Sequence, residues 1–227
     1  MSRAFKQKIA SVGVGALLSL LHVPASAGPG DVDKSGAAWW QWALSIPASV
    51  NPLLDTTGEH CLVGQNGDVW YLAELFLTEG AVTRDCDVPA DTKFFVPVIN
   101  FVNIDTPGIC GQVASIPVKD LRAAAAPFID AATNLSVTVD GKSVKNLHRS
   151  KSGIFAVALP DDNLFNEPCG GPGTVPPGIY SPAIDDGYYA QINALSPGAH
   201  IVNIHAESGA FVLDVTYNLN VVATAKH

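Results

Sequence analysis

Residues 198–220 read "GAHIVNIHAESGAFVLDVTYNLN", and this stretch decides the fold. Apolar and polar residues alternate on both sides of Ser208-Gly209, a pair typical of tight turns, which predicts a β-hairpin. With the turn at that pair, Ala206 lies opposite Phe211, and one face of the hairpin is apolar at almost every position. Such a pattern predicts an antiparallel sheet that packs on one side only.

The rest of the chain adds short strands and two helices to this hairpin. Strands are predicted at 68–75, 93–103, 135–147 and 152–159, helices at 35–45 and 115–134, and a long Gly/Pro-rich loop at 160–183. The predicted fold is therefore mainly β, an antiparallel β-sandwich or jelly roll with two accessory helices.

The N-terminus has the features of a secretory signal peptide. Arg3, Lys6 and Lys8 precede the apolar run 9–23, and Ala-Ser-Ala at 25–27 forms an A-x-A cleavage site. The run is shorter than the roughly 20 apolar residues that span a bilayer. We expect cleavage after residue 27, no membrane insertion afterwards, and a protein that is secreted or periplasmic.

Cleavage would leave residues 28–227 as a single β-rich domain. This part keeps all 21 acidic residues and ten of the 13 basic residues, so its net charge is −11. An acidic chain without a Lys/Arg cluster argues against nucleic acid and anionic membranes as partners. The oligomeric state stays open.

Four cysteines remain in the mature part, and an even number in an exported chain predicts two disulfides. Three pairings are possible. We favour Cys61 with Cys86 and Cys110 with Cys169, because each closure is then local. Zinc is disfavoured because no two cysteines have C-x-x-C spacing.

Aromatic residues supply the candidate binding surface. Trp39, Trp40 and Trp42 share the broad apolar arc of the first helix, so we expect core packing, with Trp40 at the rim. Aromatic rings bind the apolar faces of sugars, and nearby amides orient the hydroxyl groups. The candidate glycan-binding residues are Trp40, Trp70, Tyr71, Asn66, Tyr188 and Tyr189.

Acidic residues supply the candidate chemistry. Asp55, Glu59, Asp68 and Glu74 lie within 20 residues, with His60 among them. Asp68 and Glu74 share strand parity and could form the acid and base pair of a glycoside hydrolase or lyase. The same pattern also arises without a catalytic function, when the carboxylates lie on a solvent-exposed strand face or cap turns.

Calcium is the one cofactor for which the sequence offers ligands. Asp161, Asp162, Asp185 and Asp186 flank the Gly/Pro-rich loop and carry the hard oxygen ligands that calcium prefers. No EF-hand spacing is present, and Asp next to Pro and Gly also serves simply to form turns. No other cofactor is indicated.

Three motifs carry a resemblance: W-x-x-W at 39–42, N-P-x-x-D-x-T-G-x-x-C at 51–61 and G-Q-x-G-x-V-W at 64–70. With them the chain resembles a group of exported bacterial proteins. This resemblance implies no activity and no catalytic residues.

Three functions remain as hypotheses. The first is a secreted module that binds an extracellular glycan or a similar ligand. The second is a carbohydrate-active hydrolase or lyase that uses two of the four carboxylates at 55–74, together with His60. The third is a structural protein of the envelope or matrix.

Overall fold

The computed structural model describes residues 36–223, and the expected signal peptide lies outside this range. The helices are α1 (Gly36–Ser45) and α2 (Val118–Asp130), with a short 3-10 turn at Ala48–Val50. The strands are β1 (Val69–Tyr71), β2 (Gly80–Pro89), β3 (Lys93–Ile104), β4 (Ala132–Val139), β5 (Lys142–Ser143), β6 (His148–Lys151), β7 (Phe155–Leu159), β8 (Gly178–Ile192), β9 (Gly198–Ser208) and β10 (Phe211–Val222).

The strands form two five-stranded sheets that face each other. Sheet A has the order β1-β3-β8-β6, with β7 also paired to β8, and sheet B has the order β2-β10-β9-β4-β5. The predicted mainly β, sandwich-like fold with two helices is confirmed. Each sheet also contains one parallel pair, β1 with β3 and β2 with β10, which hairpin patterns along the sequence do not reveal.

The C-terminal hairpin forms with a register two residues away from the predicted one. Ser208 lies opposite Phe211 and Ala206 opposite Leu213, because the turn consists of Gly209 and Ala210. A shift of two keeps every side chain on its predicted face, since side chains alternate with a period of two. The apolar face of the hairpin therefore still packs into the core between the sheets.

Strand β3 lies between β1 and β8 in sheet A, and it is buried on both faces over most of its length. Its register against β8 shifts between Pro97 and Ile99, where proline lacks the N–H that a regular ladder needs. Sequence patterns missed β2, β6 and β8. Strand β8 begins inside the Gly/Pro-rich stretch and carries Asp185 and Asp186 at buried positions, so it does not read as a strand.

A second core lies on the other face of sheet A, under α1. Trp39, Trp40 and Trp42 are all buried there, as expected for core residues. The Trp39 indole donates to the Leu72 carbonyl at 2.9 Å, which ties the helix to the chain just after β1. Helix α2 instead packs on the opposite face of β3 and β8, beside the space between the sheets.

Both predicted disulfides are present. Cys61–Cys86 lies in the core between the sheets, and Cys110–Cys169 joins the segment before α2 to the loop between β7 and β8. Within residues 36–223, no helix is long and apolar enough to cross a membrane.

Candidate functional site

A cavity of about 240 Å³ opens beside β3, and we call it the acid pocket. Six aromatic side chains contribute to its wall: Trp40, Phe76, Phe101, Phe128, Phe165 and Phe211. Its polar side chains are those of Glu74 and Asn100. A mainly apolar cavity with a few convergent polar groups is the usual form of a small-molecule site.

The pocket exists because the strand predicted at 68–75 ends early. Strand β1 pairs with β3 only through Val69–Tyr71, and the chain after Leu72 leaves the sheet. Residues 74–77 then form one wall of the pocket, opposite residues 99–102 of β3.

Arg84 holds the departing segment in place. Its guanidinium is buried and donates to the backbone carbonyls of Asp55, Ala73 and Glu74 at 2.7, 2.5 and 3.2 Å. It also lies 5.3 Å from the centroid of the Tyr217 ring. A buried charge is tolerated when hydrogen bonds replace its water. Arg84 thus positions the backbone that carries Glu74.

The Glu74 side chain is buried, and no hydrogen bond from a described residue reaches its carboxyl group. Burial raises the pKa of Glu74 well above its usual range, and the negative charge of Asp185 adds to the effect. The positive charge of Arg84 opposes it without reversing it. The raised pKa favours the protonated form of Glu74, which can donate a hydrogen bond into the pocket.

Asp185 lies behind the pocket, on the face of β8 that α1 covers. Its Oδ1 accepts hydrogen bonds from the Tyr189 hydroxyl at 2.5 Å and from the Trp40 indole at 3.0 Å. Its Oδ2 is buried without a partner among the described residues. Burial raises the pKa of Asp185 to about 7, although the two hydrogen bonds act in the other direction.

Asn100 completes the group of polar side chains. It lies opposite Gly187 on β8 and interacts with the Tyr189 hydroxyl. Its amide nitrogen and oxygen are buried, and neither forms a well-formed hydrogen bond with a described residue. A Cβ on Gly187 would stand 2.4 Å from the Asn100 Cβ, so glycine leaves the room that Asn100 occupies. Buried amides are almost always hydrogen-bonded, which makes Asn100 a group in need of a partner.

The six glycan candidates do not share one exposed surface. Trp40 forms part of the pocket wall, whereas Trp70 is buried between the sheets and Tyr189 is buried under α1. Tyr71 is half-buried between the Trp42 and Phe95 rings, at 5.2 and 5.9 Å. Tyr188 is half-buried with Arg149 at 6.0 Å, and Asn66 is exposed.

Of the five candidate acid and base residues, Glu74 alone lines the pocket. The Asp55 carboxylate accepts the backbone N–H groups of Thr57, Gly58 and His60, and these bonds lower its pKa despite burial, so it caps a turn. Glu59 and Asp68 are exposed, and His60 is half-exposed. The expected shared face of Asp68 and Glu74 does not form, because β1 ends at Tyr71.

The calcium candidates do not converge either. Asp161 and Asp162 are exposed, and Asp162 accepts the backbone N–H of Ser49 at 2.9 Å. Asp185 and Asp186 are buried on opposite faces of β8. The part of the chain that the structure describes contains no group of three or more His, Cys, Asp or Glu that could hold a metal ion.

Sequence reasoning missed Asn100 and the role of Arg84. The available signal for Asn100 was one amide inside the apolar stretch 94–102, since a polar residue in a strand buried on both faces needs a partner. Comparison of the chain with protein-family models, curated protein sequences and solved structures finds no match.

Proposed function

We propose that this protein binds a small, mainly apolar molecule with an uncharged oxygen-containing head group, such as a ketone or an alcohol, in the acid pocket. One observation carries the proposal: two polar side chains lie in the wall of a cavity lined by aromatic rings. Within residues 36–223, the Asn100 amide has no well-formed hydrogen bond, and no hydrogen bond reaches the Glu74 carboxyl group. A ligand oxygen would satisfy these groups while its apolar part contacts the rings.

The charges around the pocket favour an uncharged head group. A protonated Glu74 and the Asn100 amide nitrogen both donate hydrogen bonds, which a carbonyl or hydroxyl oxygen accepts. A carboxylate head group would approach Asp185, whose charge already opposes the ionisation of Glu74. An anion buried without a cationic partner is costly, so anionic ligands are disfavoured.

This ligand differs from the glycan that the aromatic content suggested. A sugar presents many hydroxyl groups, whereas the pocket offers two polar side chains in an apolar wall. The hydrolase or lyase alternative needs paired carboxylates in one cleft, and its candidates contribute only Glu74. A binding role outside the cytoplasm agrees with the two disulfides and remains part of the proposal.

Calorimetric titration with 2-octanone at pH 7 tests the proposal. Wild-type protein should bind the ketone, and Glu74→Leu should weaken binding by about fivefold, because it removes one hydrogen bond worth about 1 kcal/mol. Glu79→Leu is the matched control, since Glu79 is an exposed glutamate five residues away. Octanoate should bind more weakly than the ketone.

Two results would overturn the proposal. One is the absence of 2-octanone binding to the wild-type protein. The other is equal weakening by the substitutions at Glu74 and Glu79, which would mean that the ketone does not contact the pocket.

A further inference from the structure

A second cavity, of about 140 Å³, lies next to the acid pocket. Val102 and Phe165 line both cavities, so these two side chains separate them. The far wall of the second cavity includes Ile109 and the Cys110–Cys169 disulfide. The two cavities therefore lie side by side along β3, separated by these two side chains.

The polar groups of the second cavity, unlike those of the acid pocket, already have partners. The Asn103 amide donates to the Leu121 carbonyl at 3.1 Å, and its oxygen accepts the N–H of Ile104. The Thr106 hydroxyl bonds to the Gln112 side chain at 3.2 Å. Nothing in this cavity calls for a polar ligand group, so it suits a hydrocarbon chain.

The position of Phe165 is fixed by the loop that carries it. Its backbone N–H donates to the buried Asn163 side chain at 3.1 Å, and its carbonyl accepts the N–H of Cys169 at 3.0 Å. Asn163 also donates to the Val175 carbonyl at 2.9 Å. The backbone is thus held in place, and the phenyl ring packs edge-on against Phe76. Joining the two cavities therefore requires a change of the Phe165 side-chain rotamer and no movement of its backbone.

We infer that the two cavities form one elongated site for a long-chain ligand, with its oxygen head group at Glu74 and Asn100 and its hydrocarbon tail passing Phe165 into the second cavity. This inference rests on the proposed function and names the ligand class: linear amphiphiles longer than the acid pocket alone can hold. The acid pocket contains polar side chains that no described residue satisfies, whereas the polar side chains of the second cavity are already hydrogen-bonded. The ligand's oxygen therefore lies in the acid pocket and its hydrocarbon end in the second cavity.

A series of methyl ketones tests this length requirement by calorimetry. The affinity of the wild-type protein should rise by about fourfold per added methylene from 2-pentanone to 2-undecanone, the increment for transfer of a methylene out of water. Ile109→Trp fills the second cavity from its far wall without touching the acid pocket. This variant should bind 2-pentanone as the wild type does and lose the gain beyond 2-octanone.

Ile154→Trp is the matched control, because Ile154 is exposed and lines neither cavity. It should keep the full dependence on chain length. A wild-type affinity that stops rising at 2-octanone or before would overturn the inference, whatever the variants do. So would an unchanged chain-length dependence in folded Ile109→Trp. If no ketone of any length binds, the proposed function itself has failed.

Discussion

Asp185 and Asp186 are neighbours on β8 and lie on opposite faces of sheet A, and their surroundings differ completely. The Asp186 carboxylate meets Arg149 at 2.8 Å and Lys151 at 3.5 Å. Burial raises the pKa of Asp186, but these cations outweigh it and leave a lowered pKa. Among the residues that the structure describes, Asp185 forms no ion pair, and its Oδ2 has no hydrogen-bond partner. The ionised Asp186 carboxylate therefore stabilises the fold, whereas ionisation of Asp185 destabilises it.

The same distinction extends to other carboxylates. Asp55 and Asp105 accept hydrogen bonds from neighbouring groups, and both have a lowered pKa. Glu74 and Asp185 have raised pKa values and lie at or behind one cavity. Raised carboxyl pKa values in a cleft are a recognised feature of functional sites. The contrast therefore locates the site without reference to any particular ligand.

The largest expected effect is a gain of stability in Asp185→Asn. Because the folded-state pKa of about 7 exceeds the ordinary value of 3.8, the protonated form supports the fold below about pH 4, and this support is lost as the pH rises through 7. Asparagine can still accept the bonds from Tyr189 and Trp40 and cannot ionise. The variant should be more stable than the wild type at pH 8 by at most about 4 kcal/mol.

Urea denaturation at pH 4 and pH 8 checks this prediction. The difference between the variant and the wild type should be close to zero at pH 4 and reach its full size at pH 8. A variant that is less stable than the wild type at pH 8 would show that Asp185 is well compensated in the fold.

Asp186→Asn should have a smaller effect of the opposite sign. The lowered pKa of Asp186 means that its ion pairs support the fold above the unfolded pKa and lose this support as the pH falls through the folded value. The expected loss at pH 8 is about 2 kcal/mol, less than for a fully buried pair, because Arg149 is partly exposed. The same denaturation series measures it, and a stabilised variant would contradict the contrast between the two residues.

The sequence predicted those features that depend on local pattern. The C-terminal hairpin and the tryptophan helix follow from periodicity and turn chemistry, and the disulfides follow from the local closure of each loop. The sequence did not determine the register of this hairpin, because a shift by two residues leaves the same side chains buried. These elements gave the fold class but not the pairing of β2 with β10.

The candidate site could not be predicted in the same way. Glu74, Asn100 and Asp185 come from three distant segments, and only the folded chain brings them together. The sequence predicts Glu74 as a strand residue on the same face as Asp68, whereas its place in the pocket wall depends on β1 ending at Tyr71. Asp185 read as a turn former, and nothing local showed that α1 would bury it.

The central claim is that a protonated Glu74 forms the polar end of the ligand site. Its most direct test is the affinity for 2-octanone measured by calorimetry from pH 5 to pH 9 in the wild type and in Glu74→Gln. A ketone oxygen accepts a hydrogen bond only from the protonated acid, and the ligand also removes water from the carboxyl group. Wild-type affinity should therefore fall severalfold as Glu74 ionises, with proton uptake on binding, while the glutamine variant, which keeps a donor at all pH values, should bind equally across the range. Parallel pH profiles for the two proteins would contradict the account.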